Sequence, residues 1–488
     1  MPRHPRFRRA LLCAATAAAL TGGLLTAAAG TASAAPSGLA GDFNGDGYRD
    51  LAISAPAATV GGKEWAGHVA VVYGAATGLN PAKRTVISQN SPGVPGSAET
   101  DDQFGHKVAA ADLNRDGYSD LIVTASKEDT EQGDDAGTVV VVWGSASGLS
   151  GGTTIKNPLA LHGSYFGLSL AAGDFTGDGK PDLVIGAQGD SGNPPFKIRL
   201  IRGPFAKSGT TGSVTSYASP LEWPGLTAGR VNGDGKADLV VTGNKPESDD
   251  LGPAVYYQGS SSGLSKGATL RPGSVAAIGD LDGDGYGDIA LGNAEEPEHE
   301  PSGSTGGELS IVHGTSTGPS ATRRTTLTQN SAGVPGGSEH GDAFGQALAI
   351  GDLDKDGRAD LSVGVPGETI GGEPDGIYGA GTITVLRGSA TGLSTSGALL
   401  LSQDSPGVPG SAESIDGFGS QLFASDVNRD GRADLSAVAS QENDDAGGLW
   451  HLPGAAGTLY STTGSTSFGP GALGLSTAYS AFGSELAG

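Results

Sequence analysis

The chain has 488 residues, and its 85 glycines and 27 prolines together make 112, about 23%, against roughly 12% in an average protein. That load excludes a mostly helical protein, because both residues are poor in helix interiors. A formal charge of −24, with 53 acidic against 29 basic residues, argues against nucleic acid or an anionic membrane surface as partner.

In chain order, residues 1–34 read as a secretion signal. Arg3, Arg6, Arg8 and Arg9 form a basic head, Ala10 to Leu25 an apolar stretch, and Ala32-Ser33-Ala34 a small-residue cleavage site. The Arg8-Arg9 pair permits either general or twin-arginine export. Residues 35–488 contain no cysteine, so an exported product needs a large core or another staple. Without the four leader arginines, 25 basic residues face 53 acidic ones, a net −28. No later apolar run reaches the roughly 18 residues of a membrane span. A secreted, extracellular, monomeric protein is expected over 35–488.

A nine-residue pattern, D-x-[DNT]-x-D-G-x-x-D, then recurs seven times, at 42–50, 112–120, 174–182, 230–238, 280–288, 352–360 and 426–434. Between copies the order repeats. An apolar run such as Leu51-Ala52-Ile53 follows the loop, then a variable polar stretch, then a Val-rich run ending in Gly (Val69–Gly74, Val139–Gly144, Ile383–Gly388). A Gly-Leu turn, a fourth short run and a Pro/Gly-rich link complete the unit. Short β-branched runs bounded by Gly, Pro and Asp read as strands. Four per unit in seven units predicts an all-β, seven-bladed propeller. Phe-Gly segments (Phe104–Ala110, Phe166–Ala172, Phe344–Ile350, Phe418–Ala424) run into acidic loops, but none precedes Asp42. The final residues, Phe482–Gly488, are a Phe-Gly segment with no loop after it, and are expected to complete the first blade and close the ring.

The loops place hard oxygens around one turn. Positions 1, 3, 5, 7 and 9 hold Asp42, Asn44, Asp46, Tyr48 and Asp50 in the first, and Asp112, Asn114, Asp116, Tyr118 and Asp120 in the second. The third holds Asp174, Thr176, Asp178, Lys180 and Asp182; the fifth Asp280, Asp282, Asp284, Tyr286 and Asp288. The sixth holds Asp352, Asp354, Asp356, Arg358 and Asp360; the seventh Asp426, Asn428, Asp430, Arg432 and Asp434. Calcium takes six to eight such oxygens, position 7 through its carbonyl, and the glycine at position 6 permits the turn. An EF-hand would need a carboxylate at position 12, where Ile53, Val123 and Ile185 stand instead. About six calcium ions are expected. The fourth loop is degenerate, with Arg230 in place of Asp; its guanidinium is expected to stand partly in for the cation beside Asp234 and Asp238.

These Phe-Gly segments, D-x-N-x-D-G loops and the Ile185-Gly186-Ala187 run resemble FG-GAP repeats, the units of the seven-bladed propeller of integrin α subunits and related secreted bacterial proteins. The resemblance implies structural calcium on six of the seven loops, and partner binding on the opposite face. It also touches glycosylphosphatidylinositol phospholipase D and, more loosely, calcium propellers of polysaccharide lyases, which keeps a hydrolase or lyase open as an alternative.

Strand order puts the acidic loops and Gly-Leu turns on one face. The variable loops, acidic in composition, share the other: Ala57–Gly67 with Trp65, Lys127–Gly137, Asn244–Gly252, Ala294–Gly307 with His299, Gly367–Gly381 with Tyr378, and Gln441–Gly447. Variable loops on a repeated scaffold are the usual place for recognition. Two G-x-S-x-G-like stretches, Gly259–Gly263 and Gly314–Gly318, fall in the repeated turn and lack the helix a nucleophile elbow needs. The expected function is therefore a non-enzymatic, calcium-stabilised extracellular binding or adhesion module for a protein or polysaccharide ligand. A lectin-like version would use Trp65 and Tyr378 as sugar-stacking platforms, with His299 a further candidate.

Overall fold

The Val- and Ile-rich runs are strands buried on both faces, which is why they read as continuous apolar segments rather than alternating ones. In His68–Val72 every residue is buried. Val69 and Val71 point into the core shared with the second blade, Ala70 and Val72 into the core shared with the seventh. Period-two side-chain alternation thus serves two interfaces at once. The computed structural model describes residues 37–488 apart from 132, 159–160, 190–195, 373–374 and 462. The secretion signal expected at 1–34 lies outside the described residues.

The fold is a seven-bladed β-propeller of four-stranded antiparallel sheets. Blade two is typical, with strands Val108–Ala111, Asp120–Ala125, Thr138–Trp143 and Ser150–Ile155 in sequential order. Seven apolar clusters each join two neighbouring blades. The innermost strands contact one another around the ring, and Leu486–Ala487 touches those of blades two and seven. Blade one is completed from the C-terminus: Ala52 pairs with Ala487 and Ile53 with Leu486. The ring closes as the sequence indicates. Helix is confined, among the described residues, to Glu442–Asp445 and the 3-10 turn Pro470–Leu473.

The Phe-Gly segments, read from the sequence as the innermost strands, begin for the most part ahead of those strands. In blades two, three and six the pair lies in a turn ahead of the innermost strand, and only Phe418–Ser425 is strand from its Phe. In either conformation the Phe does one job: Phe104, Phe166, Phe344, Phe418 and Phe482 are each plugs of an inter-blade core, at most 1% exposed. Position 2 of the acidic loop does the same, with Phe43, Leu113, Phe175, Val231, Leu281, Leu353 and Val427 all buried between blades. No helix among the described residues is long and apolar enough to cross a membrane.

Candidate functional site

Each acidic loop leads into the second strand of a blade, six of them directly from the innermost strand and the first, at 42–50, without one, and each is held by its own carboxylates. Asp42 accepts from the Gly45 and Gly47 amides at 2.6 and 2.7 Å, and Asp46 accepts from Tyr48 at 3.0 Å. The position 9 aspartate does different work. Asp50 accepts the Phe43 amide at 2.9 Å and the Gly74 amide, at the end of the third strand, at 3.0 Å. The same two bonds recur at Asp120, Asp238, Asp288, Asp360 and Asp434. Asp182 keeps the second bond, to Gly203, and takes the Thr176 amide for the first. Gly74 must be glycine, since a Cβ there would stand 2.1 Å from the Arg49 carbonyl oxygen.

Burial pushes these position 9 carboxyls up, against the pull of the two amides and, except at Asp238, with repulsion from nearby aspartates. Asp50 reaches about 8, Asp120 and Asp434 about 7, Asp360 about 6, and Asp182 and Asp238 are also raised. A cation would relieve this repulsion. The donor set fits a hard divalent ion: the carboxylates of Asp280, Asp282 and Asp284 lie within 4.8 Å of one another, as do those of Asp352, Asp354 and Asp356.

The loops also recruit side-chain cations. Lys180, Arg358 and Arg432, at position 7, reach back to Asp178, Asp356 and Asp430 at 2.8 to 3.3 Å. In the fourth loop the expectation for Arg230 is corrected: its side chain is exposed, and the cation beside Asp234 is Lys236, at 3.0 Å. Position 7 wins because its side chain lies over position 5. In the fifth loop Arg323 lies 2.6 Å from Asp282 and His313 lies 3.2 Å from Asp288. Asp282, although burial pushes its carboxyl up, is held below the usual range by the Arg323 bond. His313 and Arg323 were invisible to motif reading, as both lie outside the nine-residue pattern.

On the opposite face, five large apolar side chains stand exposed: Trp65, Trp223, Tyr378, Ile415 and Tyr479. The other three exposed ones described, Val86, Val214 and Leu400, sit on outermost strands. Trp65 and Tyr479 line a cleft of about 430 Å³ between blades one and seven, with Ser420, Gln421, Ser440 and Asp445. Tyr378 does not join them; it lies beside Ile415, whose amide donates to its carbonyl at 2.8 Å. His299 stands exposed on its loop. Tyr479 stands three residues before Phe482, the place of Asp101, Gly341 and Ile415 in other links, and escaped sequence reading because that place holds no constant residue type. The two nucleophile-like stretches are turns, with Ser260 and Thr315 hydroxyls donating to the carbonyls of Gly263 and Gly318.

The sequence pattern of the FG-GAP repeat matches residues 34–72, 104–142, 166–196, 272–312 and 344–386. The chain is 35% identical over 149 residues to a phosphatidylinositol-glycan-specific phospholipase D of Bos taurus, across 30% of this chain and 17% of that one. It is 40% identical over 117 residues to integrin alpha pat-2 of Caenorhabditis briggsae, across 22% of this chain and 9% of that one. This chain thus spans under a fifth of the length of either relative. A solved structure of AofleA from Arthrobotrys oligospora aligns over 78% of this chain and 92% of its own, with a TM-score of 0.38 and 11% identity.

Proposed function

We propose that this chain, a propeller of FG-GAP repeats, is a secreted, calcium-stabilised binding module that engages an extracellular protein or polysaccharide through the face opposite its acidic loops. One observation carries the reading. Of the five exposed apolar side chains on that face, Trp65, Trp223, Ile415 and Tyr479 have positive φ, at 57°, 47°, 73° and 38°. A left-handed backbone costs a non-glycine residue about 1–3 kcal/mol. The same left-handed places recur in other blades, where Asp101, Gly163 and Gly341 match Ile415 and Tyr479, and Asp135, Gly379 and Asp445 match Trp65. Folding asks for Gly or Asp there, so large apolar side chains at these exposed places are explained by a surface use.

The Trp65–Tyr479 cleft supplies two aromatic faces and a rim of hydroxyl, amide and carboxylate groups. That is the chemistry of sugar recognition, with ring stacking for affinity and polar groups for orientation. The acidic surroundings favour a neutral or basic ligand. About six calcium ions on the other face would hold the scaffold rather than touch the ligand. The phospholipase relative shares only part of its length with this chain, so its activity does not transfer here.

The test is a glycan array and a panel of purified extracellular matrix proteins, probed with wild type and with a Trp65→Ala, Tyr479→Ala double variant. The expected result is a bound ligand lost in the variant at unchanged melting temperature. A ligand held equally by both proteins, or cleavage of a polysaccharide by the wild type, would overturn the reading.

A further inference from the structure

Three inter-blade links share nearly one sequence, and one of them is built differently. Links 88–104, 328–344 and 402–418 run SQNSPGVPGSAETDDQF, TQNSAGVPGGSEHGDAF and SQDSPGVPGSAESIDGF. Asp102, Asp342 and Asp416 each accept the amide of the glutamate three residues earlier. One position before each aspartate, Asp101, Gly341 and Ile415 all have a left-handed backbone. The amides of Asp101 and Ile415 donate to backbone carbonyls of the adjoining variable loop, those of Glu64 and Tyr378. The Gly341 amide instead donates to a side chain, Glu296 Oε1, at 2.8 Å.

Glu296 is therefore inserted between its own loop, 294–307, and the link to blade six. It is 8% exposed. Oε1 also accepts the Gly306 amide at 3.1 Å, whereas Oε2 is buried with no hydrogen-bond partner. A buried carboxylate oxygen left without a partner is costly. Beside it stand two side chains free to move. Glu298 and His340 have their side chains 64% and 66% exposed, with Glu298 Oε2 3.9 Å from His340 Nε2. One ligand atom from each of the three residues lies within 4.8 Å of the other two. His340 occupies the place of Thr100 and Ser414 in the sister links, so neither of those can form this trio.

We propose that Glu296, Glu298 and His340 form a binding site for a borderline divalent transition metal of the zinc class, separate from the calcium loops and on the opposite face. Two carboxylates and an imidazole suit zinc, which takes three protein ligands and leaves a fourth position to water. Calcium prefers oxygen donors and has no use for the imidazole. Donors about 2.1 Å from a tetrahedral ion stand roughly 3.4 Å apart. The Glu298–His340 pair need close by only about half an ångström, within the reach of two exposed side chains. The ion would satisfy Glu296 Oε2 and tie the blade five loop to the blade six link.

The full chain, in saturating calcium, is titrated with zinc by calorimetry alongside His340→Ala, Glu298→Gln, Glu296→Gln and His299→Ala. The expected result is one zinc ion per chain, with affinity falling more than about tenfold in the first three variants and unchanged in His299→Ala. Cobalt in place of zinc should give a visible absorption band that His340→Ala abolishes. His340 is exposed, so its variant keeps the fold even if Glu296→Gln does not; its melting temperature in calcium alone should match wild type. Identical zinc isotherms for wild type and His340→Ala, or no saturable zinc binding, would overturn the proposal.

Discussion

Asp238 Oδ1 accepts the amide of Gly259 at 2.9 Å in the one acidic loop that has arginine at its first position. With Oδ2 on the Val231 amide at 3.0 Å, the fourth loop keeps the full position 9 bracket found in loops read as calcium sites. Position 9 therefore has a role that does not depend on metal: it fastens the start of the second strand to the end of the third. The Asp238→Ala substitution strands two buried amides and should cost about 3 kcal/mol or more. That cost should be the same with and without chelator. Asp46→Ala, at an exposed position 5 that accepts only local bonds, should cost clearly more stability when calcium is present than under chelator. Denaturant melts of both variants, with and without chelator, check this; a chelator-sensitive Asp238→Ala would assign position 9 to metal alone.

Closure of the ring rests on the last seven residues. Phe482 is 1% exposed between blades seven and one, and Leu486–Ala487 covers the edge of Leu51–Ala55. Phe482→Ala should cost about 3–5 kcal/mol as a cavity in a packed core. Deleting 482–488 also bares a strand edge, so the truncated chain should self-associate. Light scattering of the deletion beside a denaturant melt of Phe482→Ala separates the two effects, and a monomeric deletion with an unchanged melt would contradict closure.

The ring was legible because its information is local and repeated: a loop such as Asp112–Asp120 announces the strand after it, and Phe482-Gly483 announces a missing partner. The inter-blade plugs were half legible, since Phe43 and Leu113 occupy a regular position whose burial depends on the neighbouring blade. What escaped was contact between segments with no common period. Glu296 and His340 are 44 residues apart on different loops, and Trp65 meets Tyr479 only because the chain ends come together. Arg230 misled for the opposite reason. Its place in the pattern suggested a role, but the pattern does not carry side-chain direction, and Lys236 reaches Asp234 more directly.

Calcium removal should lower the melting temperature by well over about 10 °C. Each independent site contributes about 2.7 kcal/mol at a hundredfold excess over its Kd, and six sites act on one cooperative ring. Ion counting at saturation should give about six. Arg323 lies across Asp282 and Asp284, where it would compete with a metal ion in the fifth loop. The Arg323→Ala variant should therefore tighten one site of the set without changing the count. A melt indifferent to chelator would remove calcium from the account of stability.

The buried carboxyls where a link meets a variable loop should make stability depend on pH with a definite sign. Glu128, which accepts a bond from Gln89, is pushed up to about 7 by burial and by the charge of Asp102, itself raised to about 6. Between roughly pH 4.5 and 7 the folded state thus holds protons that the unfolded chain has released. Stability from these groups is present at the acid end and is lost as pH rises through the folded values. Glu128→Gln keeps an oxygen to accept the Gln89 bond but carries no charge. Relative to wild type in excess calcium, it should be nearly neutral at pH 5, increasingly stabilising up to about pH 7, and level beyond. Denaturant midpoints of the two proteins at matched pH provide the difference, and one that is flat or falls with pH would show that Glu128 is not the strained group its burial implies.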